Sequence, residues 1–247
     1  MLYITDQKDF ASPFGLLQGL LRLKKKLFDR VVFALPPSAT GWTDNLPDLG
    51  IPSVTKIVED FSYRGIIQAA KDEQVSCIAV DLDTHSHDTI CKGLALHSTL
   101  PVLFVNRGDI IGELLNHVIF ATDWSVSSEK ALEQILALGS LIYELDIVHV
   151  ISEKLTVKDM RELKDRLQRT RKICLDEGIN AEAHIYAGNV AEEIVTASKD
   201  YRGSIIVVGS NTQRSLVKRI FKRSTIHTLI KNAAVPVFFV PYTAEGD

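Results

Sequence analysis

No apolar run in this 247-residue chain approaches the ~20 residues that a membrane-spanning helix needs, so insertion into a bilayer is not expected. Cysteine is scarce. Cys77, Cys91 and Cys174 form an odd set without a Cys-x-x-Cys pair, which argues against a disulfide framework and predicts reduced thiols, two of them inside element cores. Neither sign of charge dominates: 28 Lys and Arg stand against 31 Asp and Glu, a net charge of −3, with no global pull toward nucleic acid. The opening residues Met1-Leu2-Tyr3-Ile4-Thr5-Asp6 lack the basic region and apolar core of a secretory signal, and with the reduced thiols they predict a cytoplasmic protein. Catalytic motifs are missing too. There is no Walker loop, no G-x-S-x-G and no H-E-x-x-H, so an enzyme is not expected.

What the chain does have is an internal repeat. Tyr3-Ile4-Thr5-Asp6 reads like Phe120-Ala121-Thr122-Asp123, 117 positions later (6 to 123). Ile66-Ile67-Gln68-Ala69-Ala70-Lys71-Asp72 matches Ile194-Val195-Thr196-Ala197-Ser198-Lys199-Asp200, 128 positions later (72 to 200), and Cys77-Ile78-Ala79-Val80 matches Ile205-Ile206-Val207-Val208 at the same offset. Leu100-Pro101-Val102-Leu103-Phe104-Val105 is answered by Val235-Pro236-Val237-Phe238-Phe239-Val240, 135 positions later (101 to 236). Order is kept through both jumps in offset, and each jump falls between elements, where loops absorb insertions. One α/β unit used twice is the reading, with units at 1–108 and 114–247.

Short β-branched runs without strict alternation predict strands buried on both faces, as in parallel sheets covered by helices. In the first unit they fall near 2–5, 30–35, 54–58, 76–81 and 101–105, with helices near 13–27, 61–73 and 87–98. In the second, strands fall near 117–122, 146–151, 181–186, 204–209 and 236–240, with helices near 126–142, 156–177, 189–200 and 216–232. Ser127-Ser128-Glu129 and Asn189 with Glu192 read as capped helix starts. The first unit replaces the helix at 156–177 with a proline-rich loop from Pro36 to Pro52. The fold class is α/β: two tandem Rossmann-like units, each a five-stranded, mostly parallel sheet of its own with helices on both faces. Ligands of such sheets bind beyond the strand ends where strand order reverses, which places a candidate crevice between Asp123 and Gly209.

Ile119-Phe120-Ala121-Thr122-Asp123-Trp124-Ser125, His149-Val150-Ile151, and Val207-Val208-Gly209-Ser210 followed by a helix and Val235-Pro236-Val237 resemble the universal stress protein family, most strongly from 117 to 241. The resemblance implies a nucleotide-binding α/β fold. In ATP-binding members the opening Asp and the Val after the His contact adenine and ribose, and Gly-x-x-Gly, nine residues, then Gly-Ser/Thr, cradle the phosphates. Carried onto this chain, the implied cofactor-binding residues are Ala121, Thr122, Asp123, Val150, Gly209, Ser210, Arg223, Ser224 and Thr225, and the implied cofactor is ATP or another adenine nucleotide with Mg²⁺. The chain departs from the pattern: Thr212 and Arg223 stand where glycines belong, and the segment is one residue longer. Glycine matters there because it lets backbone N–H groups close on the anion. Three readings follow. Arg223, with Arg214, Lys218, Arg219 and Lys222, binds phosphate by charge; the site takes another anionic or adenine-containing ligand; or it takes none.

Each residue also has a plainer reading. The basic stretch 214–223 is a solvated helix face, Asp123 a turn or cap residue, Val150 core, and His149 a hydrogen-bonded core histidine. Asp81, Asp83, His85 and His87 alternate, so an extended chain sets them on one side, as a Zn²⁺ chelate requires; a polar loop with a helix cap is the preferred reading, and no metal site is assigned. By family analogy, 101–105 and 236–240 meet at the interface of an intramolecular pseudo-dimer, with a further homodimer open. The function implied is stress-response binding or signalling with a small nucleotide ligand. The alternative is a ligand-free module that serves an unknown protein partner, for example by regulating a transporter.

Overall fold

The computed structural model describes residues 1–5, 27–39, 49–82, 87–105, 114–210 and 223–241. In the first half, β1 (Leu2–Thr5), β2 (Val31–Leu35), β3 (Ser53–Ile57), β4 (Ile78–Asp81) and β5 (Val102–Phe104) alternate with α1 (Tyr63–Asp72) and α2 (Asp88–His97). In the second half, β6 (His117–Ala121), β7 (Glu144–Ile151), β8 (Asn180–Ala187), β9 (Ile205–Ser210) and β10 (Val237–Pro241) alternate with α3 (Val126–Ala137), α4 (Val157–Asp176), α5 (Val190–Asp200) and α6 (Arg223–Asn232). The strands fall where the β-branched runs place them. The expected helix at 13–27 lies outside the described residues but for its last position. The helix expected at 126–142 stops at Ala137 and continues as a short 3-10 turn, Gly139–Leu141.

The strand order is β3-β2-β1-β4-β5-β10-β9-β6-β7-β8. Each half repeats one order, the edge strand β3 or β8 leading inward to β5 or β10, and all pairs within a half are parallel. The two halves therefore share one strand order, as a repeated unit requires. The expectation of two separate sheets is not borne out. β5 and β10 pair antiparallel, Leu103 beside Phe238, and fuse the halves into one sheet of ten strands. The physical reason is that both strands are apolar edges, and an exposed apolar edge is a liability that mutual pairing removes. Phe104 and Phe239 pack edge to face across this seam, ring centres 5.5 Å apart. Asp88 on α2 reaches across it to His227 (2.6 Å) and Lys231 (3.5 Å) on α6.

Central strands β1, β2 and β4 are buried along their whole length, as two-sided helical cover demands. In the second half α3 and α4 cover one face, over Phe120, Ile147, Leu163 and Leu167. α5 and α6 cover the other, over Ile119, Val148, Ile194 and Leu229, a face continuous with Ile66 of α1 and Leu94 of α2. Cys77, Cys91 and Cys174 are all buried free thiols.

Helix starts follow cap chemistry. Asn189 accepts from the Ala191 and Glu192 amides to open α5, as its spacing predicts. Thr156 and Asp159 form a reciprocal capping box at α4. At α3 the cap is Ser125, not the Ser127-Ser128 pair; its hydroxyl accepts from the Ser128 amide. Ser127 and Ser128 are already inside the helix and buried.

Candidate crevice at the strand-order reversal

β6 lies between β9 and β7, with Ala121 beside Val208. The chain leaves β6 toward β7 and leaves β9 toward β10, so strand order reverses at the β6–β9 pair. Thr122-Asp123 follows β6 there, and Gly209-Ser210 ends β9 beside it. The expected adjacency of Asp123 and Gly209 is what the topology delivers.

Local chemistry fixes how Asp123 is held. Its Oδ1 accepts from the Ser128 hydroxyl at 2.7 Å and from the Ser125 amide at 3.0 Å, tying the strand end to the first turn of α3. Trp124 follows with φ +53°, a left-handed conformation rare for a bulky residue. It is held by its amide donating to the Thr122 hydroxyl (3.1 Å) and its indole N–H donating to Thr170 of α4 (3.2 Å). One face of the indole lies on the His149 ring, centres 4.6 Å apart, and the Arg166 guanidinium is 5.8 Å from the ring centre. His149 donates from Nδ1 to the Thr122 carbonyl at 2.8 Å, and burial holds its pKa below the ordinary 6.5. The core-histidine reading of His149 stands. Trp124 and Arg166 were not among the expected site residues; the sequence signal for Trp124 was its place directly after the strand-end Asp, and Arg166 had none.

Gly209 is required by packing. A Cβ on it would lie 2.3 Å from the Ser128 amide nitrogen and 2.4 Å from the Ser127 carbonyl carbon. The strand end and the first turn of α3 thus approach closely enough to exclude any side chain. Ala121, Thr122 and Val150 are all buried, at 1%, 4% and 3% exposure, so a ligand in the crevice would meet their main chain rather than their side chains. The Ser210 backbone pairs with Pro241. Arg223, Ser224 and Thr225 open α6. Thr212, Arg214, Lys218, Arg219 and Lys222 lie outside the described residues, as do the side chains of Ser210, Arg223 and Ser224.

The first half carries something else at the same place. Thr5 pairs with Asp81 as Thr122 stands to Gly209, positions related by the repeat offsets of 117 (5 to 122) and 128 (81 to 209). Asp81 is 3% exposed and accepts from the Tyr3 hydroxyl at 3.0 Å and from Thr5 at 3.5 Å. A buried carboxylate with hydroxyl partners occupies the spot where the second half has its glycine. Of the alternating acidic and imidazole segment, Asp81 is thus turned into the sheet, while Asp88 accepts from Lys92 (2.7 Å) and faces α6. Asp83 and His85 lie outside the described residues.

The fold is that of a doubly wound α/β protein whose strand order is repeated in its two halves. The family model of the universal stress protein family matches residues 115–241, more than half of the chain, and the chain belongs to that family. A universal stress protein of Methanocaldococcus jannaschii is 26% identical over 151 residues, which is 50% of this chain and 93% of that protein. In fold, the chain is similar to a universal stress protein from Archaeoglobus fulgidus: TM-score 0.72, 20% identity, 99% of this chain and 97% of that one. A protein of unknown function from Pseudomonas aeruginosa PAO1 shares the fold at TM-score 0.67 and 13% identity, with 97% and 92% covered. Both fold matches extend over the two halves together. No helix among the described residues is long and apolar enough to cross a membrane.

Proposed function

We propose that this chain is a cytoplasmic stress-response binding protein whose second unit, residues 114–247, takes an adenine nucleotide at the β6–β9 crevice. Residues 1–108 form a structural partner unit without a ligand. The observation that carries this reading is the contrast between Gly209 and Asp81 at equivalent positions: one unit keeps a side-chain-free strand end, the other fills it with a buried carboxylate. Asp123 spends Oδ1 on Ser125 and Ser128, and its Oδ2 would accept from the adenine amino group or the ribose hydroxyls. Thr122, Ala121 and Val150 would supply main-chain contacts. The phosphate end fits less simply, because Thr212 and Arg223 replace glycines. There Arg223 would supply bidentate charge, and Ser210, Ser224 and Thr225 hydroxyl donors. Mg²⁺ would arrive with the phosphates of ATP and neutralise part of their charge.

The experiment is to denature purified protein, analyse the supernatant for ATP and ADP, and record thermal unfolding with millimolar ATP and Mg²⁺. Co-purified nucleotide, or a rise in melting temperature by mass action, supports the reading. No nucleotide and no shift removes it. A second reading is a ligand-free module for a protein partner, and one observation favours it: Asp123 and Gly209 each already have a structural role, one as a turn-forming acceptor and one in helix packing.

A further inference from the structure

Away from the crevice, near the free edge of the sheet, three strands bring titratable side chains to one face. Asp146 is the third residue of β7, His117 the first of β6 and His184 the fifth of β8. Register sets Asp146 beside Glu182, and His184 beside Val148, two residues on from Asp146. Because side chains alternate at period two, Asp146, Glu182 and His184 project to the α5 side. One ligand atom of each of these three lies within 4.8 Å of the others.

We propose that Asp146, Glu182 and His184 form a binding site for a divalent first-row transition metal of the Zn²⁺ or Mn²⁺ type. The ligands are one carboxylate oxygen from each acid and Nε2 of His184, and water fills the open positions. The donor set decides the class. One imidazole and two carboxylates suit Zn²⁺ and Mn²⁺, while Mg²⁺ and Ca²⁺ favour all-oxygen shells.

The surroundings of the ligands carry the argument further than the ligands alone. A metal-binding imidazole has its other nitrogen fixed by a partner, and a metal-binding carboxylate is itself hydrogen-bonded. Both conditions hold. His184 Nδ1 lies 3.0 Å from the Tyr201 hydroxyl, and the two rings stack with centres 4.2 Å apart. Without metal, Nε2–H donates to Asp146 Oδ1. With metal bound, the proton would sit on Nδ1 and be donated to the Tyr201 hydroxyl, which would leave the Nε2 lone pair for the metal. Asp146 offers Oδ1 to His184 at 2.7 Å, while Oδ2 is held by His117 Nε2 at 2.5 Å. His117 is braced in turn by Glu144, 3.3 Å from its Nδ1. His117 is thus a positioning residue that acts through Asp146.

Access and fit agree. Asp146 is 5% exposed, whereas Glu182 stands exposed on β8, whose outer edge has no strand partner in the ten-strand order. Ligand atoms at zinc distances of about 2.0–2.2 Å in tetrahedral array stand roughly 3.3 Å apart, so the His184–Asp146 contact needs to open by about 0.6 Å. That is a side-chain adjustment, and the backbone register stays as it is.

The test is calorimetric titration of the chelator-stripped full chain with Zn²⁺, and separately with Mn²⁺ and Mg²⁺, backed by the visible absorption of Co²⁺ substitution. The expected result is one saturable Zn²⁺ site per chain, no saturable Mg²⁺ uptake, and Co²⁺ bands that Zn²⁺ displaces. His184→Ala and Glu182→Gln should remove the site, and His117→Gln should weaken it about 10–100-fold. Asp146 is buried, so Glu182→Gln on the exposed edge serves as the variant whose fold is safe, checked by circular dichroism. Absence of saturable Zn²⁺ and Mn²⁺ uptake would overturn the proposal. So would uptake unchanged in both Glu182→Gln and His184→Ala, which would assign the metal to other histidines such as those of 81–88.

Discussion

Gly209→Ala separates the two roles of this glycine. The added methyl carbon would sit 2.3 Å from the Ser128 amide nitrogen, 2.4 Å from the Ser127 carbonyl carbon and 2.7 Å from its oxygen. Ordinary contact needs about 3.4 Å, so strand and helix must part by roughly 1 Å. All three atoms are backbone in the first turn of α3, where Ser125 caps and Asp123 ties the helix, so no rotamer change relieves the clash. Overpacking typically costs about 1–3 kcal/mol, and a clash with fixed backbone belongs at the upper end. At roughly 2–4 °C per kcal/mol for a chain of this size, melting should fall by about 6–12 °C. Urea unfolding followed by tryptophan fluorescence gives the free energy directly, because Trp124 lies in the same turn. A variant as stable as the parent would refute the packing account and leave the glycine only a ligand role. A variant that is destabilised but shows an unchanged nucleotide shift, measured below its melting point, would keep the packing account and sink the phosphate role.

Asp123 allows a similar division. Asp123→Asn keeps an oxygen for Ser125 and Ser128 and should hold stability to within about 0.5 kcal/mol while changing the charge offered to a ligand. Asp123→Ala should cost about 1 kcal/mol in urea unfolding, as cap-type bonds do. Equal losses in both variants would contradict the bonding pattern. Burial pushes the Cys77 thiol up to about 12 and the Cys174 thiol up to about 11, from an ordinary 9.0. The folded state therefore keeps protons that the unfolded chain releases above pH 9. The stability this provides is fully present below that value and is lost as pH rises through 9–12, at up to about 1.4 kcal/mol per pH unit for each thiol. The same burial should leave all three thiols silent to a thiol-exchange reagent at pH 8 until the chain unfolds; rapid labelling of the native protein would show the burial to be wrong.

The strands were legible because runs such as Val31-Val32-Phe33-Ala34-Leu35 and Ile205-Ile206-Val207-Val208 leave no face polar, and the meeting of Asp123 with Gly209 followed from strand order alone. Single-sheet fusion was not legible. That 101–105 meets 236–240 was expected by family analogy and is what β5 and β10 do. That they meet by strand pairing, so that two sheets become one, is not written in Val102-Leu103-Phe104 or Val237-Phe238-Phe239, which read only as buried strands. The cap at α3 was missed for a local reason. Ser125, Ser127 and Ser128 all qualify by type, and it is the Asp123 carboxylate, bonding Ser125 and Ser128 together, that selects the first. The cluster around Asp146 had no sequence signature, since its members lie 29 (117 to 146) and 38 (146 to 184) positions apart. Only the register of three parallel strands assembles them.

The asymmetry between the halves also follows from physical chemistry that the sequence shows only once the register is known. At the equivalent strand ends, a glycine in one half faces a helix backbone, and an aspartate in the other faces Tyr3 and Thr5. A carboxylate is tolerated at 3% exposure only where donors meet it, and the two hydroxyls are among those donors. Burial, with Asp81 alongside, holds the Tyr3 phenol well above its usual range, so it stays protonated and donating. The same negative charge repels a phosphate and occupies the strand end that an anion would approach. Restoring a crevice in the first half would therefore take more than Asp81→Gly, because that change removes the carboxylate to which the buried Tyr3 hydroxyl donates. The two units differ by having a glycine packed on a helix backbone at one strand end and a hydrogen-bonded aspartate at the other. The proposed binding role is assigned to the second unit on that contrast, while the first contributes its edge strand and half of the seam.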